Sequence, residues 1–126
     1  MLTLALAHGL FNVAAGLWPL VSMRRFEAVT GPKTDRWLVR TVSGLLVAVG
    51  VGQVRTARRA ALTGGTAIGL ETARDLGIGT ALTLAAIDLV YGGSGRISRA
   101  HLGDVPLELG WLAAWLSCGP DPTPRV

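Results

Sequence analysis

The first 23 residues contain no Asp, Glu, Lys or Arg. A helix needs ~20 apolar residues to cross the ~30 Å hydrocarbon core of a bilayer. This one stretch is long enough, and it makes lipid the candidate solvent; we place a span at residues 2–21. No Lys or Arg precedes the apolar run, and His8 and Asn12 interrupt it, so it reads as a retained span rather than a cleaved leader. The later charge-free windows, 41–54, 60–70, 76–87 and 109–120, are shorter. Each of the remaining spans reaches membrane length only by taking in charge. The second is expected at 37–54 with Arg40, the third at 71–91 with Asp75 and Asp88, and the fourth at 99–117 with Asp104 and Glu108. Ser98 is placed to cap the fourth span, and Gly92-Gly93-Ser94-Gly95 to separate it from the third. Residues 55–70, with Thr63-Gly64-Gly65-Thr66, form the longest connection, open at this point between loop, interfacial segment and helix, and the Pro-rich stretch 119–126 reads as a disordered tail. Pro19 and Pro106 are expected to kink or end their helices. The expected fold is all-α: one domain, residues 1–118, built as a bundle of four transmembrane helices.

Composition agrees. Charged residues make up 16% of the chain, against ~25% in soluble domains. The apolar content excludes a disordered chain. The lone Cys118 excludes an internal disulfide and a thiolate metal centre within one chain. The cations lie mostly between apolar segments, as membrane-flanking residues do, so no nucleic-acid partner is expected. With four spans, Arg24, Arg25, Lys33, Arg36, Arg96 and Arg99 share one side, and Arg55, Arg58, Arg59, Arg74 and Arg125 the other. That near balance leaves orientation undetermined and admits dual insertion. Trp18, Trp37 and Tyr91 fall at span ends on one face, as an aromatic belt does.

The charges inside the spans carry the functional information, because ionisable groups there are costly and face the protein interior or a wet cavity. Alternating helix directions bring Arg40 and Asp88 to the same end. Asp104 enters from that end, and Glu108 lies one turn deeper. His101, Asp104, Glu108, Trp111 and Trp115 recur at spacings of three or four and form one stripe. Arg40, Gly44, Ala48 and Gly52 recur at four, a small-residue surface for close helix packing. His8, Asn12, Ala15, Gly16 and Pro19 make a comparable face on the first span. The expected interior is therefore a polar cluster of Arg40, Asp88, Asp104 and Glu108, with His101, His8 and Asn12 as weaker candidates. One Arg cannot neutralise three carboxylates, and the deepest, Glu108, is the best placed to carry a proton. His101, Asp104 and Glu108 read as an interfacial histidine beside an acidic stripe, so no metal site is expected. No cofactor is expected either. His8 and His101 start helices at opposite faces and cannot share a haem within one chain, and Gly50-Val51-Gly52 follows no strand. No nucleophile–base pair is identified, so an enzyme is the weaker expectation.

The runs Gly31-Pro32-Lys33-Thr34-Asp35-Arg36-Trp37-Leu38-Val39-Arg40-Thr41-Val42 and Ala85-Ala86-Ile87-Asp88-Leu89-Val90-Tyr91 add a family signal. So does Arg96-Ile97-Ser98 followed by His101-Leu102-Gly103-Asp104 and Glu108. Together they resemble small four-helix bacterial membrane proteins, loosely the DoxX-type families, with His101 and Pro106 as departures from the pattern. The resemblance implies an integral membrane protein and adds no substrate. The expected location is a bacterial inner membrane, multi-pass, with the lipid bilayer and a homodimer or larger membrane complex as partners. The leading functional expectation is a structural or accessory protein whose Arg–carboxylate cluster fixes the helices. The alternative is a small proton- or ion-coupled transporter or channel using Glu108, Asp104 and Asp88.

Overall fold

A computed structural model of the chain describes residues 1–64 and 67–119. It holds five α-helices: α1 (Leu2–Val21), α2 (Met23–Thr30), α3 (Arg36–Thr63), α4 (Ala67–Ile87) and α5 (Asp104–Ser117). A π-helical segment, Asp88–Gly92, continues α4, and a 3-10 turn, Arg99–Gly103, leads into α5. No strand occurs among the described residues. Three helical stretches, Leu2–Val21, Arg36–Thr63 and Gly69–Gly92, are long and apolar enough to cross a membrane by length and composition.

The boundaries follow local chemistry. The α1 and α2 helices meet at Ser22, whose hydroxyl accepts from Arg25 N–H at 3.4 Å and caps α2. Gly31 ends α2 at φ +87°, a left-handed value that suits glycine, and a Cβ there would stand 3.0 Å from Ser98 Cβ. Ser98 Oγ accepts from Ala100 N–H at 3.3 Å and caps the 3-10 turn, as the sequence predicts. Pro106 stands in the first turn of α5, where a missing N–H costs least, so it starts the helix rather than breaking it. Pro19 lies inside α1, within its last turn.

Three sequence expectations need correction. The stretch 22–36, the connection between the first two expected spans, is not a single loop: the amphipathic part from Met23 to Thr30 forms α2. The second span does not stop at Val54 but runs on to Thr63. Ala57 and Ala60 are buried there, while Arg55, Arg58 and Arg59 are exposed on the other side. Charge sits easily on the outer face of a helix whose other face is packed. Gly64, at φ +74°, ends it. The connection to α4 is therefore 64–66, of which 65–66 lie outside the described residues, as does the tail from residue 120.

Packing is most extensive between α1 and α3, then between α4 and α5. The α1–α3 seam is close because glycines line it. A Cβ at Gly50 would lie 2.6 Å from Gly9 O, and one at Gly16 would lie 2.6 Å from Ser43 O. The packed face of α3 is thus Ser43, Gly50, Gln53, Ala57 and Ala60, not the predicted stripe. Arg40, Gly44 and Ala48 are exposed, and a Cβ at Gly44 or Gly52 meets nothing within 4 Å. Both stripes have small residues; only the first turns its backbone to the glycines of α1.

The interior inverts the usual distribution. Its fully buried large side chains are Trp115, His8, Gln53 and Asn12, and its buried apolar residues are mostly alanine. Large apolar side chains lie outside, among them Leu10 (55% exposed), Leu45 (64%), Leu82 (55%) and Leu116 (58%).

Candidate functional site

Two polar groups stand out among the described residues. The deep one links four helices. His8 stacks on Trp111 with ring centroids 4.6 Å apart, and its Nδ1 accepts the Trp115 indole N–H at 2.8 Å. The neutral ring must then carry its proton on Nε2, which has no partner among the described residues. Gly77 of α4 leaves the space that the Trp115 indole fills. One turn along α1, Asn12 Nδ2 donates to Gln53 Oε1 at 3.0 Å, and Gln53 Nε2 donates to the Ala73 carbonyl at 3.2 Å. The end of α5 is held from α4 as well: Arg74 Nε reaches the carbonyls of Trp115 (3.3 Å) and Cys118 (3.2 Å), a cation on a helix C-terminus.

The second group forms a mouth at the end where α2, the π segment and the 3-10 turn meet. Lys33 Nζ donates to the Thr30 carbonyl at 2.9 Å and lies 3.0 Å from His101 Nε2. It also sits 5.8 Å from the Phe26 ring centroid. With Lys33 as an ammonium, Nε2 of His101 accepts, and the ring proton sits on Nδ1, 3.4 Å from Asp88 Oδ1. Burial pushes the Lys33 ammonium below the ordinary lysine value, against the pull of Glu27 and Asp88. Asp88, His101 and Asp104 each bring one ligand-type atom within 4.8 Å of the others. Asp88 opens the π segment and is buried, and π turns inside α-helices recur at functional sites.

Glu108 lies one turn below Asp104, ~6 Å further along α5. It is 3% exposed, and its Oε2 has no partner among the described residues. Helical register puts Glu108 one turn from Trp111 and Asn12 one turn from His8. Because α1 and α5 run in opposite directions, both displacements lead towards the mouth. Asp104 therefore lies nearest the mouth, Glu108 and Asn12 share a depth below it, and His8 lies deeper.

The loop bearing Lys33 is pinned by Glu27. Arg36 pairs with it through two bonds, Nε–Oε1 2.9 Å and Nη2–Oε2 2.7 Å, and Lys33 N–H adds a third at 3.1 Å. The Arg36 guanidinium holds the Glu27 carboxyl below its ordinary range, and the Lys33 N–H helps, against the opposing effect of burial.

Among the expected residues, Asp88, Asp104 and His101 come together, with Glu108 beneath them; His8 and Asn12 belong to the deep group. Arg40 does not join either: it is exposed, with no ion pair or hydrogen bond among the described residues. An exposed guanidinium avoids the desolvation that pairing with the buried Asp88 would cost. The cation of the mouth is Lys33, and its bridge to the carboxylates is His101. Lys33 was missed because its loop lies outside every expected span, and nothing in the charge pattern shows that α2 folds it over the mouth. Gln53 was missed as a lone amide in an apolar run, although it stands three residues after Gly50 and ten after Ser43, on the same helix face.

No family model, curated protein or solved structure matches the chain.

Proposed function

We propose that the chain is a small multi-pass integral membrane protein that admits a small cation, a proton or a metal ion, at the Lys33–His101–Asp88–Asp104 mouth and passes it to Glu108. In this reading α1, α3 and α4 span the bilayer. The 3-10 turn and α5 together supply the fourth segment of a transmembrane bundle, 19 residues and ~31 Å long at ~2.0 and ~1.5 Å per residue. Leucines outside and small or polar residues inside suit lipid as the solvent. The observation that carries the reading is Glu108: a carboxyl 3% exposed with one oxygen unpartnered, directly inward of two other carboxylates. A purely structural ion-pair cluster would satisfy its carboxylates, and Arg40, the cation expected to do so, faces away. All five residues of the route, Lys33, Asp88, His101, Asp104 and Glu108, fall in the segments that carry the DoxX-type resemblance, which is part of this proposal.

The test is flux. The chain is reconstituted in liposomes with a pH-sensitive dye inside, and Glu108→Gln is compared with the native protein. The variant is expected to keep its helical content and lose the proton- or cation-driven signal. Native-level flux in Glu108→Gln removes the proposal. Release of the chain from membranes by alkaline carbonate, without detergent, removes the bilayer itself.

A further inference from the structure

We propose that Asp88, His101 and Asp104 form a binding site for a divalent transition-metal ion of the zinc or manganese type, and that Lys33 is a tethered cation opposing its loading. The inference deepens the cation reading above by naming the class of ion, and rests on it only for where the ion goes next.

The donors come from three different segments: the first π residue, the 3-10 turn and the first residue of α5. One imidazole nitrogen and two carboxylate oxygens lie within 4.8 Å of one another. A zinc ion bonded at ~2.0–2.2 Å holds its ligands ~3–4 Å apart. Rotation of Asp104, which is exposed, and His101, which is half-buried, closes that difference without moving a helix. Two carboxylates balance the charge of a divalent ion, so the loaded site is neutral where a bare carboxylate pair is costly. The mixed nitrogen and oxygen donors favour zinc or manganese over calcium and magnesium, which take oxygen alone, and over copper(I), which takes sulfur.

An independent observation points to a ligand. Glu108 is buried with Oε2 unpartnered, on the same face of α5 as Asp104, and feels the charges of both Asp104 and Asp88. Nothing among the described residues satisfies that oxygen, and the charge nearest to it along α5 is that of the proposed site.

Lys33 sets the opposition. A neutral imidazole has one N–H. Loading a metal on His101 Nδ1 leaves that proton on Nε2, where it meets the Lys33 ammonium now 3.0 Å away, donor against donor. Lys33 must therefore swing out before the ion binds, and removing its ammonium should favour the loaded state.

The experiment uses the full chain in lipid nanodiscs, titrated with Mn²⁺ and followed by electron paramagnetic resonance, in which bound Mn²⁺ loses the sharp signal of the free ion. One saturable site per chain is expected, displaced by Zn²⁺. Asp104→Asn and His101→Gln should each weaken it by on the order of tenfold or more, and Lys33→Met should tighten it by about tenfold. Asp104 is exposed, so its variant tests the site without loading the core. The absence of a saturable Mn²⁺ or Zn²⁺ site overturns the proposal, as does an affinity unchanged in both ligand variants. The two readings fail separately. Metal binding without cation flux keeps the site and removes transport, whereas proton flux with no metal binding keeps transport and removes the site.

Discussion

The deep polar group and the mouth use similar residues to opposite ends. In the deep group, His8, Asn12, Gln53 and Trp115 are uncharged, fully buried and joined by hydrogen bonds that tie α1 to α3, α4 and α5. At the mouth, Lys33, His101, Asp88 and Asp104 are ionisable, less buried and spaced more loosely. Neutral hydrogen bonds can cross-link helices where water is scarce without the desolvation cost of a charge. Most of the ionisable groups that approach the interior gather instead at the mouth. Glu108 breaks this division, being a carboxyl at interior depth, and for that reason the proposed function rests on it.

If the deep group is the scaffold, damage there should dominate. Trp115→Ala empties the space made by Gly77 and strands His8 Nδ1, and should destabilise the fold by about 3–5 kcal/mol. Unfolding in mixed detergent micelles measures it. A loss no greater than that of a mouth variant would mean that the two groups are not divided as described. Next comes the α1–α3 seam. Gly50→Ala forces a methyl to within 2.6 Å of a backbone carbonyl and should cost about 1–3 kcal/mol. Gly44→Ala, six residues earlier with open space around it, should be neutral or stabilise by up to ~1 kcal/mol through helix propensity. Equal effects at the two glycines would discard the seam.

These two glycines also show what the sequence could and could not say. The start of each long helix was legible to within about five residues, because loss of charge and helix-breaking glycines mark it. The first span came out as α1 itself. The side on which α3 packs was not legible. Gly44, Ala48 and Gly52 and the face of Ser43, Gly50 and Gln53 are both rich in small residues, and spacing ranks neither. What decides is a partner backbone: Gly9 and Gly16 stand opposite the second face. The same rotation carried Arg40 outward. At the site, the three carboxylates were legible as the ionisable groups of the apolar spans, whereas Lys33 was not, since its place depends on how α2 folds back. His101 was visible as part of the stripe, but its link to Asp88 joins segments 13 residues apart across a glycine-rich turn.

Smaller effects should separate the groups more finely. A double-mutant cycle on Asn12→Leu and Gln53→Leu should return a coupling of about 1 kcal/mol, the usual net worth of a buried hydrogen bond. Zero coupling would make the pair incidental. Arg40→Leu should change stability by no more than ~0.5 kcal/mol, because the side chain is exposed and unpaired among the described residues. A large loss would restore the arginine to the interior and reopen the salt-bridge account of the carboxylates.

The least effect belongs to the lid over the mouth, and its sign is fixed. Arg36 holds the Glu27 carboxyl below its reference value of 4.5, so folding favours the ionised form. That contribution is fully present above the unfolded value, and is lost as pH falls through the lower, folded one. The pairing is open to solvent, so the change should be small and screened by salt. It should be visible as looser docking of α2, read by hydrogen exchange at the Lys33 amide, which donates to Glu27 at 3.1 Å. Protection at that amide should decrease as pH falls below the reference value of 4.5, after correction for intrinsic exchange rates, while the amides of α1 stay protected. Glu27→Gln should give the low-pH behaviour at every pH. If protection at Lys33 does not respond to pH or to Glu27→Gln, the loop is held by other contacts. The ammonium over His101 would then not depend on the Glu27–Arg36 pair, and the mouth would be as fixed as the core beneath it.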